Sequence, residues 1–166
     1  MELSDGTVTL RPWRADDAPA VHAACQDREI QRWMPMIPRP YELEHARAFV
    51  ADELGLGPHQ WAIETDGRLA GSIGMQVAAG TAHIGYWCVP EARGRGVVGR
   101  ALRLVCAYGF DELGLARLEL IADPDNIASQ RVAEKAGFRR EAVLRSHILH
   151  PVGHRRDSVM FGLVRA

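Results

Sequence analysis

Apolar and polar residues alternate along several short stretches of the chain, which is the pattern of half-buried strands. The first stretch is TVTLRPW, residues 7–13, and three more follow in the middle of the chain: QWAIET, RLAGSIGMQVA and AHIGYWCV. Asp66 and Gly67 join the first two of these, and an Asp-Gly pair is typical of a two-residue hairpin turn. A second turn is predicted near Gly80. We therefore expect an antiparallel meander of three strands.

Other segments place small or apolar residues at the spacing of a helix. RADDAPAVHAACQD begins with Asp16 and Asp17, where a helix start favours acidic residues, and YELEHARAFVADELG ends at Gly55. Between them, QRWMPMIPRP carries three prolines and is predicted to be a loop. The segment NIASQRVAEKAG predicts a short helix that ends at Gly137. A long helix is predicted over residues 97–113, because one of its faces carries Val98, Leu102, Val105, Gly109 and Leu113.

The remaining strands complete the predicted order of elements. ARLELIA lies between the last two helices, and FRREAVLRSHILH and RRDSVMFGLVRA form a closing pair of strands. The order β-α-α-β-β-β-α-β-α-β-β indicates an α/β fold, with a mixed (α+β) sheet and helices on both of its faces. Because no repeat or linker interrupts the sequence, we expect a single domain over residues 1–166.

Composition narrows the classes of function. Hydrophobic residues make up 47% of the chain and charged residues 25%, with a formal net charge of -1 and no basic stretch, so a nucleic-acid partner is not expected. No apolar stretch is long enough to span a membrane, and the first residues do not resemble a signal peptide. Cys25, Cys88 and Cys106 are widely spaced and predict no disulfide. We therefore expect a cytoplasmic protein.

The stretch ARGRGVVGRA matches the G-x-G-x-x-G pattern of dinucleotide-binding proteins, and it opens the predicted long helix. Free backbone N–H groups and the helix dipole favour an anion at such a position. Its three glycines are Gly94, Gly96 and Gly99, and three arginines add positive charge: Arg93, Arg95 and Arg100. A phosphate-bearing ligand is therefore predicted, although a glycine-rich turn without a ligand is an alternative.

The surroundings of this stretch argue against a nicotinamide or flavin site. That fingerprint directly follows the first strand of a parallel βαβ unit, whereas here Pro90 and its neighbours separate strand from glycines and the preceding strands are predicted to be antiparallel. Glu119 lies about twenty residues further on, where the fingerprint expects an acid, but it sits in the middle of a strand.

Residues 84–138 resemble the GNAT superfamily of acyl-CoA-dependent N-acetyltransferases. IGYWCVPEARGRGVVGRAL resembles the cofactor segment of that family, in which [Q/R]-x-x-G-x-[G/A] opens a helix; the last small residue of the motif falls on Val98. RLELIADPDNIASQRVAEKAGF resembles the strand and helix that follow it. TLRPWRADD and GHRRDSVMFGLV resemble the branch that acetylates ribosomal-protein N-termini and small amines (RimJ- and RimL-like).

The resemblance implies a sheet that splays open between two parallel strands, residues 85–89 and 117–122. The pantetheine arm of acetyl-CoA would lie in this splay and the pyrophosphate on the amides of residues 95–99, while an N–H near Cys88 or Val89 would polarise the thioester carbonyl. Asn126 is predicted to cap its helix and also to contact the cofactor arm. Arg131 would reach the 3′-phosphate, or would simply lie on a solvated face. The implied cofactor-binding residues are Trp87, Cys88, Val89, Arg93, Gly94, Arg95, Gly96, Val97, Val98, Gly99, Arg100, Asn126, Ser129 and Arg131.

Two residues are the candidates for acid–base chemistry. Glu119 resembles the glutamate that relatives place beside the splay as a base, although it could instead only pair with Arg117, two positions earlier on the same face of the strand. Many relatives use a tyrosine as the acid, and this sequence has Ala133 at that position. Ser129 is the nearest hydroxyl and could protonate the departing thiolate, or it could only bond local backbone.

The acceptor side is predicted from the proline-rich loop. Trp33, Met36 and Tyr41 lie in a region that roofs the acceptor pocket in relatives, and the alternative is a loop that caps the core. Acidic residues nearby would favour a cationic acceptor: Asp27, Glu29, Glu42 and Glu44.

Three histidines near the end of the chain raise the question of a metal. Pro151 and Gly153 place a turn among His147, His150 and His154, and no Cys or acidic residue has ligand spacing to them, so no metal is expected. A structural role is predicted for Asp157.

Two functions remain open from the sequence. The first is an acetyl-CoA-dependent N-acetyltransferase that moves acetyl to a primary amine, either a protein N-terminal α-amine or a small-molecule amine, by direct attack in a ternary complex. The second is a non-catalytic CoA-binding module that regulates or recruits. Both a monomer and a homodimer are compatible with the sequence, because the last strands could close their own sheet or pair across a dimer.

Overall fold

Eight strands form one mixed sheet in the computed structural model, which describes residues 1–166. The strands are β1 (Leu3–Ser4), β2 (Thr9–Arg11), β3 (Gln60–Thr65), β4 (Arg68–Ala78), β5 (Thr81–Cys88), β6 (Arg117–Ala122), β7 (Arg139–Leu149) and β8 (Arg155–Val164). Their order across the sheet is β1-β2-β3-β4-β5-β6-β8-β7. All neighbours are antiparallel except β5 and β6, which are parallel. The predicted α/β fold with a mixed sheet is confirmed.

Helices cover both faces of the sheet: α1 (Ala18–Ala24), α2 (Arg28–Trp33), α3 (Leu43–Val50), α4 (Val97–Ala107) and α5 (Ile127–Lys135). None of them is long and apolar enough to cross a membrane. The two closing strands, β7 and β8, pair with each other within the same chain.

The structure corrects four predicted elements. An additional strand, β1, pairs with β2. An additional helix, α2, covers the first part of the segment predicted to be a loop, because Asp27 caps it by accepting a hydrogen bond from the N–H of Ile30, while the first proline comes only at Pro35. The second predicted helix, α3, ends at Val50 rather than at Gly55. The helix predicted over residues 97–113 ends at Ala107 and continues as a π-helical turn, Tyr108–Glu112.

Two apolar cores lie on opposite faces of the sheet. The larger one packs α4 and α5 against the strands and includes the fully buried Leu102, Leu118 and Phe161. The smaller one packs α1, α2 and α3 against the other face, where Ile30 and Trp87 share a cluster. Full burial of each such side chain stabilises the fold by roughly 1.5–3 kcal/mol relative to exposure, so the two cores hold both helical layers on the sheet.

The centre of the sheet splays open between β5 and β6, as predicted. The two strands pair only over Thr81–His83 and Arg117–Glu119. Beyond that point β5 stays paired with β4 as far as Cys88, and β6 stays paired with β8 as far as Ala122. The carboxyl-terminal halves of β5 and β6 therefore belong to two diverging parts of the sheet, and we call the space between them the gap.

Candidate active site

The loop before α4 presents unpaired backbone donors beside the gap. Gly94 and Gly96 have φ values of 72° and 73°, in the left-handed region that favours glycine. The amides of residues 94–99 donate to no acceptor in the chain, and the helical bonding of α4 starts with the N–H of Arg100, which donates to the carbonyl of Gly96. Free amides that converge at the start of a helix favour an anion.

The departure from the family motif at Val98 leaves this arrangement intact. Val97 is 4% exposed and packs in the larger core, while Val98 is half-buried. The amide of Val98 has no protein acceptor, as is the case for its neighbours. A valine at this position therefore removes no backbone donor from the loop.

The three arginines of the loop are paired with aspartates rather than free. Arg95 contacts Asp66 and Arg100 contacts Asp5, both at 2.9 Å, and Arg93 pairs with Asp27. Hydrogen bonds from the N–H of Val8, from Arg100 and from the N–H of Thr7 lower the pKa of Asp5 to about 2. The positive charge predicted for this loop is thus balanced by carboxylates from other loops, and an incoming phosphate would compete with them.

Backbone groups of β5 line one wall of the gap, but not all of those predicted. The N–H of Val89 donates to the carbonyl of Ala70 at 2.9 Å, so it is not available to a ligand. Because hydrogen-bonded and non-hydrogen-bonded pairs alternate along an antiparallel ladder, the neighbouring pair of Cys88 and Gly71 leaves the N–H of Cys88 facing away from β4, toward the gap. The candidate donor for a thioester carbonyl is therefore Cys88.

Glu119 lies at the last paired position of β5 and β6, opposite His83. Its carboxylate contacts the guanidinium of Arg117 at 3.2 Å, which is the ion pair considered as the alternative role of Glu119. Arg117 also contacts the carboxylate of Glu141 at 2.6 Å. Burial lowers the pKa of His83, the charge of Glu119 counteracts this, and His147 lowers it further. His83 was not singled out in the sequence, because only the parallel register brings it beside Glu119.

A second residue missed by the sequence analysis is Tyr86, whose hydroxyl lies 2.8 Å from the Ser129 hydroxyl and 3.3 Å from the Ser129 carbonyl. The pair joins β5 to the first turn of α5 across the gap. Burial raises the pKa of Tyr86, and the hydrogen bond with Ser129 offsets part of this rise. Asn126 caps α5 by accepting a hydrogen bond from the N–H of Ser129 at 3.1 Å, which is the predicted capping role. Arg131 is exposed on α5.

The predicted acceptor residues have different surroundings. Tyr41 is only 6% exposed and packs in the smaller core, which is the core-capping alternative. Met36 is 71% exposed. Trp33 ends α2, where its indole N–H donates to Glu29 at 2.9 Å and the Arg32 guanidinium lies 4.3 Å from its ring.

Two of the four acidic residues that suggested a cationic acceptor are paired with arginines. Asp27 pairs with Arg93, Glu29 accepts from Trp33, and Glu44 pairs with Arg47. Glu42 is the residue that precedes the first turn of α3. Arginines therefore balance the charges of Asp27 and Glu44, whereas Glu29 and Glu42 have no basic partner.

The histidines near the end of the chain have different surroundings. His147 bonds the Ser158 hydroxyl at 3.0 Å, whereas His150 and His154 stack with ring centroids 4.8 Å apart. Asp157 accepts a hydrogen bond from the N–H of Ser146 at 2.8 Å, which is the structural role predicted for it.

Comparison with known proteins identifies the family. The model of the acetyltransferase (GNAT) domain matches residues 7–139. An uncharacterized N-acetyltransferase, YoaA of Bacillus subtilis, is 29% identical over 98% of this chain and 96% of its own length. Spermidine N(1)-acetyltransferase of Escherichia coli is 28% identical over 83% of this chain and 76% of its own length. The probable N-acetyltransferase YjcK of Bacillus subtilis is 41% identical, but the match spans only 51% of this chain and 49% of YjcK.

Solved structures share the whole fold. A GNAT-family acetyltransferase from Bacillus anthracis has a TM-score of 0.89 and 26% identity, over 99% of this chain and 98% of that one. RimJ of Mycobacterium smegmatis, solved in complex with CoA-disulfide, has a TM-score of 0.82 and 27% identity, over 99% of this chain and 86% of that one. The chain therefore belongs to the GNAT family and is an N-acetyltransferase.

Proposed function

We propose that this protein transfers the acetyl group of acetyl-CoA directly to a primary amine, with both substrates bound at once. The observation that carries the proposal is the run of amides at residues 94–99, which have no protein acceptor and lie beside the gap between β5 and β6. CoA-bound structures among the relatives, such as that of RimJ, support the same choice of donor. The proposal treats residues 1–166 as one catalytic domain.

The donor would be held mainly by backbone groups. The amides of residues 95–99 would bind the pyrophosphate, because the helix dipole of α4 and the free N–H groups both favour an anion there. The N–H of Cys88 would donate to the thioester carbonyl and stabilise the charge that develops on its oxygen. The proposed contacts are Cys88, Arg93, Gly94, Arg95, Gly96, Val97, Val98, Gly99, Arg100, Asn126, Ser129 and Arg131. Val89 is left out as a donor because its N–H is bonded to Ala70, and Trp87 is left out because the same ladder turns its backbone groups toward Ser72 of β4.

The chemistry requires an amine without its proton and a leaving thiolate that gains one. In the balanced step a C–N bond forms, the thioester C–S bond breaks, the amine loses a proton and the CoA sulfur receives one. Glu119, next to His83, would accept the proton of the amine, directly or through water. Ser129 would pass a proton to sulfur and take one in return from the Tyr86 hydroxyl, which lies 2.8 Å away.

No covalent enzyme intermediate is needed. Cys88 is the thiol at the gap, and burial raises its pKa while the charge of Arg93 counteracts this, so the thiol stays protonated near neutral pH. A protonated thiol is a poor nucleophile, which supports direct attack by the amine.

Two departures from the family motif suggested a non-catalytic CoA-binding module: Ala133 in place of the usual tyrosine, and Val98 in place of a small residue. Tyr86 now brings a phenol to Ser129 from the opposite strand, and Val98 leaves its amide free, so no observation in the structure favours the module.

The acceptor is proposed as a protein N-terminal α-amine or a small-molecule amine, in keeping with the names of the RimJ and spermidine N(1)-acetyltransferase relatives. Both a monomer and a homodimer are compatible with this site. The three cysteines are free thiols, which fits the predicted cytoplasmic location.

Thiol release from acetyl-CoA, measured with a panel of peptides and amines, tests the proposal. We expect acceptor-dependent release of CoA and an acetylated product that mass spectrometry identifies. Tight CoA binding by calorimetry, with no turnover for any acceptor in the panel, would contradict transferase activity and favour a CoA-binding module.

A further inference from the structure

Five basic side chains gather where α2 and the β7–β8 turn meet: Arg32, Arg39, His150, His154 and Arg156. We call them the basic cluster. The Arg156 guanidinium donates to the carbonyl of Arg32 and to the Asp123 carboxylate, both at 3.0 Å. Asp123 directly follows β6, which forms one wall of the gap, and α2 packs in the same core as Trp87 of the other wall. The basic cluster therefore bridges the two walls on the α2 side, opposite α4 and α5.

The charge of this cluster is only partly balanced. The carboxylate of Asp123 contacts the Arg156 guanidinium through one of its oxygens and balances that charge. Glu29, at the other end of α2, accepts the indole N–H of Trp33; it keeps its charge but forms no ion pair with the arginines of the cluster. Arg32 and Arg39 are exposed and have no carboxylate partner in the chain.

His150 adds a buried polar atom without a partner. The residue is 6% exposed, and its Nε2 atom is shielded from solvent and makes no hydrogen bond. Its Nδ1 atom accepts the N–H of Val152 at 3.4 Å, which leaves the proton of the neutral ring on Nε2. Burial lowers the pKa of His150, the charges of Arg156, His154 and Arg39 lower it further, and Asp123 counteracts them. His150 is thus a neutral ring with an unused donor, surrounded by positive charge.

An unpaired N–H donor that lies among positive charges favours an anionic oxygen as its acceptor. The same positive charges would repel an ammonium group. We propose that the basic cluster binds a carboxylate of the acceptor, so that the preferred substrate is a primary amine that also carries a carboxylate, and not a polyamine. This inference rests on the proposed transferase function and specifies its substrate class. The carboxylate can belong to an acidic side chain near a peptide N-terminus or to a free amino acid.

Matched acceptors test the preference. We expect kcat/KM for a peptide amide that begins Ser-Glu-Glu to exceed that for one that begins Ser-Gln-Gln by about tenfold, mostly through KM, and to fall toward it at high salt. Free glutamate, compared with glutamine amide, distinguishes an amino-acid source of the carboxylate from a peptide source. Equal kcat/KM within both pairs, or faster turnover of spermidine than of every acidic acceptor, would overturn the inference.

Substitutions of single arginines test whether the basic cluster is the source of the preference for the acidic peptide. Arg39→Glu should abolish the preference for the Ser-Glu-Glu peptide while turnover of the Ser-Gln-Gln peptide persists. Arg47→Glu is the matched control, because it makes the same charge change at another exposed arginine, one that pairs with Glu44 on α3, and it should leave the preference unchanged. A preference that survives Arg39→Glu would contradict the assignment to this cluster.

A titration of His150 by NMR provides a readout that does not depend on catalysis. Adding the Ser-Glu-Glu peptide should raise the pKa of His150, since a nearby carboxylate favours the charged ring, and the Ser-Gln-Gln peptide should not. Absence of turnover with every acceptor would refute the transferase proposal, and this titration would then decide the inference by itself: an unmoved His150 overturns it.

Discussion

The α4 side of the gap presents backbone groups, whereas the α2 side presents side chains. On the α4 side, left-handed glycines free the amides of residues 94–99, and a single segment of the chain builds the site. On the α2 side, Arg32, Asp123 and Arg156 come from three distant segments and meet only in the folded protein. The proposed donor site thus depends on local backbone conformation, while the proposed acceptor site depends on tertiary packing. Changes to the two sides should therefore have separable effects on donor affinity and on acceptor choice.

The largest effect is expected at the backbone site. Gly96→Glu should weaken CoA binding by about 100-fold or more, because it places a negative side chain at the anion site and strains a residue with φ of 73°. Gly114→Glu is the control and should leave the affinity unchanged, since Gly114 also has a positive φ of 63° and nothing lies within 4 Å of an added Cβ, but it is not part of the loop before α4. Calorimetry measures both affinities, and unchanged CoA affinity in a folded Gly96→Glu protein would refute the loop assignment.

The second-largest effect is expected at Glu119, the proposed base. Glu119→Gln should lower kcat by about 10- to 100-fold, most strongly at low pH, where the amine most needs to lose a proton. Glu141→Gln is the matched control, because Glu141 shares Arg117 with Glu119. Equal losses in the two variants would show that Glu119 acts only through its contact with Arg117.

Tyr86→Phe should lower kcat by about tenfold while the Kd for CoA stays unchanged, because the phenol acts through the Ser129 hydroxyl. Single-turnover kinetics measure the effect. The double variant with Ser129→Ala should be no slower than Ser129→Ala alone. If the losses in kcat from the two substitutions add, the two hydroxyls act independently of each other.

A smaller change should increase affinity. Asp66→Asn removes the carboxylate that pairs with Arg95, and since exposed pairs contribute about 0.5–1 kcal/mol, CoA should bind about two- to fivefold more tightly. Asparagine suits the left-handed backbone of Asp66, with φ of 52°. Asp52→Asn is the control, because Asp52 is also left-handed with φ of 57° but accepts the N–H of Leu56 and pairs with no arginine of the loop, so the Kd should stay unchanged. Weaker binding in Asp66→Asn would mean that Asp66 supports the loop.

The smallest effect concerns pH and stability. Burial lowers the pKa of His83 below its value in the unfolded chain, so the unfolded state binds protons more readily. Stability should thus fall as pH drops below about 6.5, and His83→Asn should lose fewer degrees of Tm than the wild type between pH 7.5 and 5.5. His59 and His150 shift in the same direction, so the variant removes only part of the pH dependence. Calorimetric scans at both pH values would contradict the account if the two proteins lost equal Tm.

Elements with a local cause could be predicted from the sequence. The Asp66-Gly67 hairpin, the meander and the glycine-rich start of α4 follow from turn chemistry and alternation. The splay of the sheet followed from the family resemblance. The helix α2 was missed because its Asp27 cap lies outside the proline-rich segment that appeared to exclude a helix.

The side chains that complete the site could not be predicted, because their partners are far apart in the chain. Tyr86 and Ser129 are separated by 43 positions, and only the position of α5 over the gap joins their hydroxyls. The amides of Cys88 and Val89 could not be told apart as donors to the thioester, because the sequence does not show the register that gives the Val89 N–H to Ala70. Tyr41 carried a polar group in a loop, yet packing placed it in the smaller core.

The position of the CoA diphosphate is the most direct test of the account. A crystal structure with CoA should show diphosphate oxygens about 2.7–3.2 Å from the amide nitrogens of residues 95–99, with the sulfur in the gap beside Cys88 and Ser129. A diphosphate bound elsewhere, or these amides bonded to protein acceptors in the complex, would contradict the central claim.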